Sequence, residues 1–195
     1  MPFDKIQVAR RQLGTALALF IEDLDPVSVH TLGCAGCELA EHFARKAGRK
    51  PFTDHILANV PDFYIGRNRK VQRQYCNAFK HAETRKGKER DDSDLLGRFN
   101  DTVNEHTLYV GWYDYFRAVG SLPLEAQVFK VWYLCLYPEK VDAEVDLTAL
   151  RAVFPDLPSM ARANQKKALR KVIEFYRTDP DLTSNRATDP KPLVL

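Results

Sequence analysis

Long apolar runs are missing from this chain. No stretch of about 18 apolar residues occurs, so no transmembrane helix is expected. The opening residues, MPFDKIQVARRQ, are charged and soon amphipathic, unlike a signal peptide. Cysteine is scarce: four residues among 195 are too few and too scattered for a disulfide framework. These absences point to a reducing cytoplasm with free thiols. Strand-like alternation and internal repeats are also missing. No Walker loop, Rossmann fingerprint, H-E-x-x-H or G-x-S-x-G is present, which argues against nucleotide hydrolases, dehydrogenases, zincins and serine hydrolases. No cofactor is implied. The net charge of +3 does not by itself suggest a nucleic-acid partner.

What the chain does have is helical periodicity. Ile6, Ala9, Leu13, Ala16, Leu17 and Phe20 recur at helical spacing over residues 6–22, with Arg10, Arg11 and Gln12 off the stripe. Asp25 and Pro26 then cap and open a second helix over 26–47, which Gly48 stops. Its core stripe reads Val29, Leu32, Leu39, Ala40, Phe43 and Ala47. Gly33 and Gly36 suggest close packing against the first helix. The short link makes the pair an antiparallel hairpin. Further helices are expected over 52–57, 70–82, 95–119, 123–137, 146–154 and 160–177. The aromatic group Trp112, Tyr113, Tyr115, Phe116, Trp132 and Tyr133 reads as core rather than as a base-stacking surface. The fold class is therefore all-α: a single helical bundle of six to eight helices, with the hairpin at its N-terminus. The bundle spans 1–177, and the proline-rich tail 178–195 is expected to be poorly ordered.

Residues 70–82, KVQRQYCNAFKHA, organise the rest. Val71, Tyr75, Ala78, Phe79 and Ala82 gather on one side of this helix. Arg73, Asn77, Lys80 and His81 gather on the other, with Lys70 beside them. From Tyr64 to Arg90 the charge is +7, and the remainder sums to −4. Lys70, Arg73, Lys80, Arg85 and Lys86 are thus candidates to bind RNA or another anionic partner. Metal-free RNA cleavage needs a proton-transfer group and a cation for the phosphorane. His81 suits the first role and Arg73 the second, with Asn77 to orient them. The plain alternative is a polar face turned to water or to a protein partner.

A second candidate cluster is His30, Cys34, Cys37 and Glu41, which share one stripe of the second helix. They are metal-ligand types, but ligands from one continuous helix rarely close a tetrahedron, and a partner helix would have to contribute. No metal is favoured on this reading.

A hairpin followed by a helix that carries an asparagine and a histidine resembles the HEPN superfamily, whose nucleases carry R-x4-6-H. Cys76-Asn77-Ala78-Phe79-Lys80-His81 aligns with that pattern, and Cys76 stands at the arginine position. The segment DPVSVHTL, paired with N-x-x-K-H, is also similar to a family of uncharacterised bacterial proteins. The resemblance implies an all-α bundle, often a homodimer, with the motif helices near a two-fold axis. Because the arginine is replaced, the expected role is a non-enzymatic interaction module, ahead of nucleic-acid binding or a metal-independent ribonuclease.

Overall fold

The computed structural model describes residues 3–59, 65–84, 86–140 and 147–195, with only the backbone described at 56–59, 65–72 and 140. The helices are α1 (Lys5–Ile21), α2 (Pro26–Lys46), α3 (Phe52–Asn59), α4 (Ile65–Lys80), α5 (Ser93–Leu96) and α6 (Thr102–Val119). The two-residue strand β1 (Leu122–Pro123) leads into α7 (Leu124–Leu136) and α8 (Leu147–Val153). Next come α9 (Arg162–Tyr176), α10 (Pro180–Thr183) and the second short strand, β2 (Thr188–Asp189). The described residues are predominantly α-helical, and their two short strands, β1 and β2, pair in parallel. Two of the ten helices are four-residue turns, which leaves eight of seven residues or more among the described residues.

The hairpin forms where its caps dictate. Asp25 accepts from the N–H groups of Val27 and Ser28, and Pro26 fills the first helical position. Gly48, at φ +69°, turns the chain out of α2 in the left-handed region that glycine tolerates. Here α2 lies between α1 and α6 and is buried on two sides. Gly36 faces Leu13 of α1, and Gly33 faces Thr107 and Leu108 of α6. The buried residues of α2 are accordingly Val29, His30, Gly33, Cys34, Gly36, Ala40 and Ala44. Leu39 and Phe43, expected in the shared core, are only half-buried. Close helix contacts select small side chains along the line of approach and push long ones to its flanks.

The stretch read as one helix over 95–119 is two. Asn100 accepts from the Thr102 N–H and restarts the chain as α6, which ends at Gly120, φ +86°. The core joins α1, α2, α6, α7 and α9 around Phe20, Trp112, Phe129, Trp132 and Leu169.

The tail lies against α1. Composition alone misses this contact: Arg10, off the apolar stripe, is only 3% exposed and reaches Asp189 at 3.0 Å. Its guanidinium also donates to the carbonyls of Leu193 (2.8 Å) and Pro192 (3.1 Å). Leu193 is buried, and its carbonyl oxygen lies 2.2 Å from where a Cβ on Gly14 would stand. Gly14→Ala is therefore expected to lift the tail. Because the obstacle is backbone, the cost is about 1–3 kcal/mol, despite the better helix propensity of alanine. Carboxypeptidase digestion checks it: residues 190–195 should be trimmed faster in the variant, and equal trimming would contradict the anchoring.

Candidate functional site

The two faces of α4 do different things. On the outer face Arg73 and Asn77 are exposed, as are Lys80 and His81, the residue just past the last turn. The His81 N–H still bonds the Asn77 carbonyl at 3.0 Å, so the helical line continues to it. Arg73 approaches Glu38 of α2 at 3.8 Å, with both side chains about half exposed, a contact of little energetic weight. Beyond α4 the chain folds into a small hairpin. Glu83 bridges Glu89, and Thr84 receives the Gly87 N–H at 2.9 Å and donates its own to Lys88 at 2.7 Å. Lys86 and Lys88 project from this turn, exposed. Arg90 is held back by a two-pronged contact with Asp92 at 2.7 and 2.8 Å. The Lys70 side chain and Arg85 lie outside the described residues.

The inner face meets α2. Tyr75 and Cys76 are buried and Ala78 and Phe79 half-buried, in line with the expected facing at Tyr75, Ala78 and Phe79, whereas Ala82, expected on this side, is exposed. The Val71 side chain lies outside the described residues. Opposite them His30 of α2 is fully buried. The rings of Tyr75, Phe79 and Phe99 stand edge-on to the His30 imidazole, with centroids at 5.8, 5.7 and 5.5 Å. On its far side His30 Nδ1 lies 2.9 Å from Asn104 Oδ1 of α6, while Asn104 Nδ2 donates to the Pro26 carbonyl at 3.0 Å. That second bond fixes the amide. Oδ1 faces the ring, so Nδ1 carries the hydrogen and the Nε2 lone pair points the other way. It points at Cys76, whose Sγ is 3.6 Å off. Burial pushes the His30 pKa down, Asn104 pulls against that, and the Lys80 charge adds to the lowering, so the ring is neutral at pH 7.

Cys76 is bonded to Cys34 in a disulfide, with Cα atoms 6.3 Å apart across 42 residues of sequence. This corrects the expectation that all four thiols are free; Cys37 and Cys135 are the free pair. The metal-type set read from α2 also divides. His30 and Cys34 turn toward α4. Cys37 turns to α6, where its thiol donates to the Thr107 carbonyl at 3.1 Å, and burial pushes its pKa up. Glu41 pairs with Arg45 at 3.1 Å. The set brought together instead is His30, Cys34 and Cys76, whose donor atoms all lie within 4.8 Å of one another, every residue buried. Cys76, Phe99 and Asn104 were not legible as partners of His30. Each comes from a different segment, and no local spacing reports a contact across three elements.

No helix among the described residues is long and apolar enough to cross a membrane. No protein-family model, curated protein or solved structure matches the chain.

Proposed function

We propose that the chain is a non-enzymatic helical binding module. The outer face of α4 and the turn that follows would hold an anionic, phosphate-bearing partner, of which single-stranded RNA fits the chemistry best. One observation carries this reading: Arg73, Asn77, Lys80 and His81 stand exposed along one side of α4 and its end, and Lys86 and Lys88 are exposed on the turn that follows. Cationic side chains on long stems, with Arg73 only loosely engaged by Glu38, suit a phosphate backbone.

Binding is favoured over cleavage. A general base must be positioned, and among the described residues no side chain hydrogen-bonds to the exposed His81. Cys76, at the arginine position of R-x4-6-H, is buried against α2 and has no access to a substrate on the outer face. On this reading the chain is an HEPN-like protein. Pairing of two chains about a two-fold axis would line one groove with two basic faces.

Fluorescence anisotropy with a labelled single-stranded RNA tests the proposal. Binding should weaken steeply with salt, with a slope of about −0.7 per phosphate contacted. Arg73→Glu combined with Lys80→Glu should weaken binding by at least about tenfold and flatten that slope by about 1–2. No binding at low salt, or a double variant that binds as wild type does, would overturn the reading.

A further inference from the structure

We propose that the reduced chain binds one Zn²⁺ between α2 and α4, through His30 Nε2, Cys34 Sγ and Cys76 Sγ, with water in the fourth position. The disulfide is then the oxidised, metal-free form of the same site. This inference does not rest on the proposed function, because it concerns the opposite face of α4.

The donor set is the first argument. Two thiolates and a neutral imidazole are the ligands zinc prefers, and with three protein ligands its tetrahedron leaves one place for solvent. Distance is the second. Ordinary Zn–N and Zn–S bonds at the tetrahedral angle set nitrogen and sulfur about 3.6 Å apart. The observed separation of His30 Nε2 and Cys76 Sγ is 3.6 Å. The third donor is already within the 4.8 Å that encloses the cluster. Once the S–S bond is reduced, the sulfurs must part to about 3.8 Å, a movement within reach of side-chain rotation.

The surroundings supply the third argument. A zinc-bound histidine ordinarily donates its other ring N–H to a fixed acceptor, which sets the tautomer and aims the lone pair. Asn104 does this for His30, and Asn104 is itself fixed by the Pro26 carbonyl. The same bond pairs the buried Nδ1–H and leaves the Nε2 lone pair aimed at Cys76 Sγ. The edges of Tyr75, Phe79 and Phe99 wall the cluster and keep the local dielectric low, which strengthens the attraction between a dication and two thiolates.

The chemistry balances in two steps. A phosphine reductant gives two electrons to the disulfide and takes up the oxygen of a water molecule. The phosphine oxide leaves, and the two sulfurs are left as thiols. Zinc then forms two Zn–S bonds and one Zn–N bond. Two protons go to solvent from the thiols and none from His30, whose Nε2 is already unprotonated.

The test uses the full chain. Thiol counting under denaturing conditions should give two thiols before phosphine treatment and four after. Co²⁺ added to the reduced chain should bind one to one, with thiolate-to-cobalt charge-transfer bands and the strong visible bands of tetrahedral cobalt, and Zn²⁺ should displace it. His30→Ala, Cys34→Ser and Cys76→Ser should each weaken binding by at least about a hundredfold, and Asn104→Ala by about 10–100-fold. Cys37→Ser and Cys135→Ser should bind as wild type does. Wild-type protein alone can overturn the proposal, whether or not the variants fold. Cobalt that stays octahedral with the reduced chain would do so, as would equal binding by the oxidised chain. A site lost in Cys37→Ser and kept in Cys76→Ser would overturn it as well.

Discussion

Glu105→Ala is expected to cost about 3–5 kcal/mol of stability in urea unfolding, the cost of breaking a buried ion pair from one side. Glu105, on α6, is 1% exposed. Its Oε2 lies 2.8 Å from Arg162 Nη1 of α9, and its Oε1 accepts from the Tyr137 hydroxyl. Arg162 reaches Asp101 Oδ2 at 2.7 Å with its other terminal nitrogen. The guanidinium also lies over the rings of Phe20 and Trp132, at 5.4 and 5.3 Å. Burial works against the Arg162 charge, and the Glu105 and Asp101 carboxylates outweigh it, holding its pKa above the usual arginine value. Lys166, one turn along α9, is 1% exposed and holds Asp101 at 2.8 Å and Asp23 of the hairpin link at 2.5 Å.

Removing Glu105 leaves a partly buried guanidinium with half its countercharge, and that residual charge adds to the loss. A double variant separates this from simple loss of packing. Glu105→Ala with Arg162→Met should be markedly less destabilised than the two single costs added together, because no buried charge remains unbalanced. Additive costs, or a Glu105→Ala loss below about 1 kcal/mol, would show that the pair is solvated in practice. The network ties α9 to α6 and to the α1–α2 link.

The same residues show where the sequence is readable and where it is not. The hairpin was legible because its signals are local: a helical stripe, an Asp-Pro start and a glycine stop. The facing of α4 was legible for the same reason, from Tyr75 and Phe79 against Arg73 and Asn77. Arg10, Glu105, Asp114 and Lys166 were not legible as core. Hydropathy periodicity assigns any charged residue to solvent, and each of these is buried only because a partner distant in the chain neutralises or caps it. Arg10 shows the consequence. Missing it meant missing what holds Leu193 and the tail. The pairing of Cys34 with Cys76 was hidden for a related reason: spacing on one helix can suggest a ligand stripe, but cannot say which of its members turn toward a second helix.

Asp114→Asn is expected to stabilise the protein at pH 8 and to flatten its dependence on pH. Asp114 is 1% exposed in the middle of α6. Its Oδ1 accepts the Phe52 N–H at 2.7 Å and so caps the start of α3 from across the bundle. Burial raises its pKa to about 7, against the lowering effect of that N–H. Around it, Glu41 and Arg45 come from α2 and Asp54 from α3, and Arg45 is largely occupied by Asp54 at 2.6 Å. An unfolded aspartate titrates near 3.9. Between about pH 4 and pH 7 the folded chain therefore holds a proton that the unfolded chain has released. With fewer protons bound in the unfolded state, stability falls as pH rises through this window and levels off above it. The full loss is at most about 4 kcal/mol. Asparagine keeps the acceptor for Phe52 and has no charge to bury, so its advantage should grow from near zero at pH 4 to its full value by pH 8. Urea unfolding of both proteins at several pH values measures it. Parallel pH profiles would mean that Asp114 ionises in the folded state as freely as in the unfolded one, with water or Arg45 meeting its charge.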